Sequence, residues 1–115
     1  MSEKPESVGR DVLYEVVEGH VGLVRLNRPD KRNAVNGDVA QAMDWIVKET
    51  EADEAIRVVI LGSTSDGAFS AGADLSEISK GRGHLLGTKD GGFGGLATAR
   101  REKPWIGRAS CRERV

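Results

Sequence analysis

Two short runs rich in β-branched residues, Val12–Val17 (VLYEVV) and Val21–Leu26 (VGLVRL), dominate the first part of the chain. Only Glu18-Gly19-His20 separates them. Gly19 supplies the turn, so the pattern predicts a β-hairpin. The polar stretch Asn27–Asn33 (NRPDKRN) follows, and Pro29-Asp30 marks it as a loop. From about Gly37 to Ala52 the apolar positions change to a helical interval. Val39, Met43, Ile46 and Val47 fall on one stripe. Asn36 is a suitable N-cap, and Asp38 stands where the helix dipole favours negative charge. Arg57–Leu61 (RVVIL) then reads as a buried strand, bounded by Gly62 and the turn-rich Ser63–Gly67. Strand, helix and strand at this spacing predict a β-α-β crossover, and so an α/β fold with a parallel component in its sheet.

Past that crossover the signals shorten. A short helix is expected from Asp74 to Ser79. Lys80–Gly95 holds seven glycines and reads as a mobile loop. Leu96–Glu102 suggests one or two helical turns, Lys103-Pro104 ends them, and Trp105-Ile106 begins another strand. Met1–Arg10 reads as a loose polar lead-in. The expected organisation is therefore a lead-in over 1–10, a partial domain over 11–105, and a separate tail over 106–115.

Composition narrows the function classes without choosing one. With 115 residues, 38% hydrophobic and 30% charged, the chain fits one domain of ordinary size. A net charge of −1 gives no electrostatic reason to expect nucleic acid or an anionic membrane as partner. No apolar run reaches the length of a membrane span, and Met1–Arg10 lacks the apolar stretch of a signal peptide. Cys111 is the only cysteine, which excludes a disulfide within the chain and accords with a reducing cytoplasm.

The most informative chemistry lies in Phe69–Leu75 (FSAGADL). Small residues at Ser70, Ala71, Gly72 and Ala73 let a ligand approach the backbone closely. Amides opening a helix suit an anion or a developing oxyanion. The plainer reading is a tight turn whose Asp74 caps a helix. The second stretch is Leu26–Val35 (LNRPDKRNAV). Its Arg28, Lys31 and Arg32 could meet phosphates, or could be solvated loop charge.

In this order and at this separation, LNRPDKRNAV and FSAGADL resemble the enoyl-CoA hydratase/isomerase (crotonase) family. The first resembles its CoA-contacting loop and the second its first oxyanion-hole segment. GGFGGLATARREKPWI resembles the lead into the family's next strand, and the likeness runs from about Val12 to Trp105. It implies the N-terminal part of the crotonase ββα spiral, incomplete as given. It also implies an acyl-CoA substrate, with coenzyme A entering as part of that substrate and no separate cofactor or metal. Matched residue by residue, the backbone N–H of Ala73 is the first oxyanion donor. Ala71 lies where the family's backbone meets the adenine, and Lys31 and Ala34 line the nucleotide end. Gly72, Asp74 and Leu75 complete the binding segment. The resemblance further implies an enoyl-CoA hydratase, with isomerase, carnitinyl-CoA dehydratase-like and hydrolase chemistry as alternatives. It implies a homotrimer or hexamer for the full-length parent.

The sequence departs from the family where the second oxyanion donor, the water-activating glutamates and the trimerisation helices would follow. Ile106–Val115 (IGRASCRERV) instead reads like a translated sequencing adapter, and it is set aside from the fold expectation. The polypeptide as given is accordingly expected to be a non-catalytic fragment.

Other signals carry less. Ala68–Gly72 nearly matches a nucleophile elbow around Ser70, but no suitable Asp/Glu-then-His order follows. Gly81–Gly87 has the wrong spacing for a dinucleotide fingerprint. His20 and His84 lack metal-ligand spacing, and Trp45 lies off the main helix stripe. Asp74 and Glu77 at i, i+3 invite an acid/base reading; a cap and a solvated face are the simpler one.

Overall fold

The computed structural model describes residues 3–65 and 70–107. Strands β1 (Val12–Val17) and β2 (Val21–Leu26) form the expected antiparallel hairpin, in register from Val12↔Leu26 to Val17↔Val21. Glu18 and Gly19 both hold positive φ, 57° and 77°, and the His20 amide closes the turn onto the Val17 carbonyl. Two consecutive left-handed residues match the right-handed twist of the flanking strands.

Helix α1 (Gly37–Ala52) begins where the sequence places it. The Asn36 side chain caps it by accepting from the Val39 amide at 2.9 Å. Val39, Met43, Ile46 and Val47 are buried, joined by Ala40, Ala42 and Thr50. Thr50 meets its burial by donating its hydroxyl back to the Ile46 carbonyl. The chain returns as β3 (Val58–Ser63), parallel to β2, which completes the β-α-β unit. β6 (Trp105–Gly107) adds in parallel beside β3, giving the order β1-β2-β3-β6. The core lies between one face of this sheet (Val12, Val24, Leu26, Val59) and α1 (Val39, Ala42, Met43, Ile46). Full burial of one such side chain stabilises by about 1.5–3 kcal/mol.

Several segments differ from expectation. The lead-in is not loose where it meets β1: Ser7 and Val8 are buried, and the Ser7 carbonyl accepts from the amides of Arg10, Asp11 and Val12. Val8 joins the core because a tight turn folds it back beside Val12. Strand β3 runs through Gly62 to Ser63 rather than stopping at Leu61, because the parallel pairing with Arg25 and Leu26 continues.

Lys80–Gly95 forms defined elements. A 3-10 turn at Gly83–Leu86 leads into a small antiparallel hairpin, β4 (Gly87–Thr88) with β5 (Gly92–Phe93). Several of its glycines, Gly91, Gly92 and Gly95 among them, serve close approach. A Cβ on Gly95 would lie 2.3 Å from the Ala40 carbonyl oxygen of α1. Leu96–Glu102 holds turns but no helix; Ala97 and Ala99 donate to Phe93 and Leu96, and the pattern does not propagate. Instead the Glu51 carboxylate accepts from the Glu102 and Lys103 amides, and the Lys103 ammonium donates to the carbonyls of Thr50 and Asp53 at the end of α1. This strap delivers Trp105 to the sheet. The strand expected to begin at Trp105-Ile106 forms, and Ile106 and Gly107, also assigned by sequence to the tail, pair with Ile60 and Leu61. The rest of that tail, 108–115, and Phe69 of the FSAGADL stretch lie outside the described residues.

Candidate functional site

The two stretches singled out in the sequence, some forty residues apart, lie side by side. After β2 the chain makes a 3-10 turn at Pro29–Lys31, then takes two consecutive left-handed residues, Arg32 (φ 53°) and Asn33 (φ 57°). Asparagine tolerates that conformation better than most residues. It reverses the chain so that Ala34 and Val35 run parallel to the segment from Ser70 to Asp74. The Ala71 amide donates to the Arg32 carbonyl at 2.9 Å, Val35 to Gly72 at 2.7 Å, and Asp74 to Val35 at 2.9 Å. These bonds form an isolated parallel bridge, Val35↔Ala73.

Side chains reinforce the seam. Asn33, 1% exposed, accepts from the Arg28 amide at 2.7 Å and donates to Ser63 Oγ at 2.7 Å, so it ties the loop to the ends of β2 and β3. Ser70 Oγ donates to the Asn33 carbonyl at 2.8 Å and accepts from the Gly72 amide at 3.1 Å. Ser70 is therefore a turn-forming hydroxyl with its proton already committed, which leaves it poorly suited to act as a nucleophile. Arg28 Nη1 donates both to the Ala34 carbonyl and to Asp74 Oδ2, the latter at 3.2 Å. The two side chains of that ion pair are 14% and 10% exposed, so it is shielded from water.

One amide in this seam is left over. Gly72 N–H is taken by Ser70 and Asp74 N–H by Val35, whereas Ala73 N–H makes no hydrogen bond among the described residues. Gly72 holds φ 85°, a left-handed value that turns the chain immediately before Ala73. Next to the seam opens a cavity of about 320 Å³ lined by Leu26, Val35, Val39, Met43, Leu61 and Phe93, with Ser70 and Arg101 among its polar contributors. An unpaired amide in a seam whose Val35 and Ser70 line an apolar cavity suits a polar group carried on an apolar chain.

The remaining expected site residues divide by exposure. Lys31 and Ala71 are exposed, Leu75 is 76% exposed, and Ala34 is buried against the seam. Asp74 is the N-cap of α2 (Leu75–Ser79), accepting from the Ser76 amide at 3.0 Å and the Ser76 hydroxyl at 2.8 Å. The Ser76 hydroxyl above all, with the Arg28 guanidinium, holds the Asp74 carboxyl below the usual carboxylate range, although burial opposes them. The Glu77 carboxylate is gripped by the Arg82 fork at 2.9 and 2.8 Å, and this too lowers its pKa. A general acid near neutral pH needs the opposite shift, so neither carboxylate is tuned for that task.

Sequence reasoning treated Arg28, Lys31 and Arg32 alike. The structure separates them: Arg28 is turned inward and already paired, while Lys31 and Arg32 face solvent. The roles of Arg28 and Asn33 were missed, and only the positive-φ preference of Asn33 offered a local hint. Among the described residues no helix is long and apolar enough to cross a membrane.

Comparison with known proteins places this architecture. The profile of the enoyl-CoA hydratase/isomerase family matches residues 21–89. Bacillus subtilis YngF is 40% identical over 73 residues, covering 64% of this chain and 28% of that protein. The short-chain-enoyl-CoA hydratase of Clostridium acetobutylicum is 41% identical over 63 residues, covering 55% and 24%. Among solved structures, a carnitinyl-CoA hydratase from Mycobacterium avium superposes with a TM-score of 0.78 at 35% identity, over 85% of this chain and 38% of that one. EchA1_1 from Mycobacterium paratuberculosis gives 0.77 at 33% identity, over 84% and 38%. The chain thus spans about a quarter of the length of these curated relatives and little more than a third of the solved ones. Its mixed sheet, its crossover and its matched profile identify the chain as a member of the enoyl-CoA hydratase/isomerase, or crotonase, family, with part of the crotonase fold.

Proposed function

We propose that this chain carries the first half of an acyl-CoA thioester site, in which Ala73 N–H donates to the thioester carbonyl as negative charge develops there. The observation that carries the reading is the unpaired Ala73 amide between two paired neighbours, in a seam whose Val35 and Ser70 line an apolar cavity. An enolate formed next to a thioester places its charge on that oxygen. A fixed amide stabilises it without reorganising, because the left-handed Gly72 and the Val35 bridge have already oriented the peptide. A backbone donor also accounts for Ala at 73, since the side chain has only to stay clear. Lys31 and Ala34 fall toward the nucleotide end, Ala71 contacts the adenine, and Gly72, Asp74 and Leu75 complete the segment. Coenzyme A enters as part of the substrate, and the reading includes no separate cofactor.

The parent activity is proposed to be hydration of an enoyl-CoA, in a cytoplasmic homotrimer or hexamer. Supporting it is the likeness to the Clostridium protein, named as a short-chain-enoyl-CoA hydratase. A second reading, dehydration or hydration of a carnitinyl-CoA, is favoured by the likeness to the Mycobacterium avium carnitinyl-CoA hydratase. The 115-residue polypeptide by itself is proposed to bind a CoA thioester weakly without turning it over. Its Asp74 and Glu77 carboxylates are engaged by Arg28 and Arg82 rather than free to move a proton.

Calorimetric titration with crotonyl-CoA, paired with a hydration assay, tests this. The expected result is measurable binding, no turnover above background, and weaker binding by Ala73→Pro, which lacks the donor. Loss of one such donor costs about 3–4 kcal/mol in a transition state and less in a ground state. Clear turnover by the purified chain, or unchanged affinity in a folded Ala73→Pro variant, would refute the reading.

A further inference from the structure

We propose that Arg28 is a positioning residue that braces the Ala73 amide, rather than a ligand for the phosphates of CoA; the inference rests on the thioester reading above. Both hydrogen bonds come from one nitrogen, Nη1. One reaches the carbonyl of Ala34, the residue before Val35, and the other reaches Oδ2 of Asp74, the residue after Ala73. Arg28 therefore spans the Val35↔Ala73 bridge diagonally, from one strand of the seam to the other. The backbone bonds Val35 N–H to Gly72 and Asp74 N–H to Val35 close the same small frame from within.

The frame is shielded, since the Arg28 and Asp74 side chains are 14% and 10% exposed. A charge so placed is already neutralised and cannot reach a solvated phosphate without leaving a buried carboxylate unpaired, a strongly unfavourable step. The bond from Arg28 also fixes Asp74, whose other oxygen caps α2, so one guanidinium sets the direction of the peptide chain on the C-terminal side of Ala73. Arg28 never touches the proposed thioester. Its effect is transmitted through the two residues on either side of the bridge.

The test compares the full wild-type chain with Arg28→Met and Arg28→Lys by amide hydrogen exchange and by titration with crotonyl-CoA and free CoA. In Arg28→Met, exchange at the Val35 and Asp74 amides is expected to accelerate about tenfold or more relative to Ile46 and Val59 of the core, the loss expected for hydrogen bonds to a charged donor. Affinity for crotonyl-CoA should fall by more than that for free CoA, which has no thioester carbonyl for the Ala73 amide to meet. Arg28→Lys keeps the charge on a side chain of shorter reach and should fall between; it carries the comparison if Arg28→Met does not fold. An acceleration at Val35 and Asp74 no greater than that at Ile46 and Val59 would overturn the bracing role. A parallel loss of affinity for both ligands would overturn it too, by making Arg28 a phosphate ligand. If the wild-type chain binds crotonyl-CoA no better than free CoA, the thioester reading fails, and the exchange comparison alone then decides whether Arg28 braces the seam.

Discussion

Replacing Gly95 with alanine tests the claim that the glycine-rich segment is docked rather than loose. Gly95 has φ 72°, and a Cβ there would stand 2.3 Å from the Ala40 carbonyl oxygen, 2.8 Å from the Asp44 amide nitrogen and 3.2 Å from Met43 Cβ. Two of these neighbours are backbone atoms of α1, which cannot yield as a flexible side chain does. Gly81 is the internal control, because it has a similar φ of 78° and nothing within 4 Å of the added atom. Both substitutions incur the left-handed penalty of about 1–2 kcal/mol. Only Gly95→Ala adds overpacking, worth about 1–3 kcal/mol. Measured by urea unfolding, with a slope of about 1–3 kcal/mol per molar, the two variants should differ in midpoint by roughly 1 M. Equal midpoints would refute the docking of the hairpin on α1. So would a Gly95→Ala chain as stable as wild type.

Two further outcomes follow from named contacts. Lys103→Met removes the ammonium that donates to carbonyls at the end of α1 and its cap, and should destabilise by about 1–3 kcal/mol in the same unfolding assay, with exchange at Ile106 accelerated more than at Val24. The Asp74 carboxyl is held below its ordinary value of 3.8, so its contribution is complete above that value and is lost as pH falls through it toward the folded pKa. Asp74→Asn should therefore flatten, though not abolish, the acid limb of the stability curve. Glu77 and Asp90, lowered by Arg82 and Lys48, retain the same dependence. An acid limb as steep as that of wild type would contradict the assignment.

Much of the fold was legible because its signals are local. The Asn36 cap and the stripe at Val39, Met43, Ile46 and Val47 define α1, and Glu18-Gly19 defines the hairpin. The glycines of Lys80–Gly95 misled because a residue chosen for close approach looks, in one dimension, like a residue chosen for freedom; Gly95 against Ala40 is the first kind. Ser7 and Val8 fall in a stretch that reads as a loose polar lead-in, because their burial depends on a turn that returns them to Val12. The candidate site was legible as two motifs and illegible as one object. Arg28 and Asp74 stand 46 residues apart, and neither local composition nor periodicity says that they meet. The same holds for Asn33 and Ser63, whose contact requires the parallel alignment of β2 and β3.

The central claim is that the loop after β2 and the segment before α2 form one cradle, with Ala73 N–H as its open donor. Amide-resolved NMR of the folded chain, titrated with crotonyl-CoA, tests it most directly. The account predicts that the Ala73 amide proton moves downfield as it gains an acceptor, and that the Val35 and Asp74 amides, already bonded to each other's segments, move little. An Ala73 resonance that stays fixed at saturating ligand, while other amides of the chain respond, would contradict it.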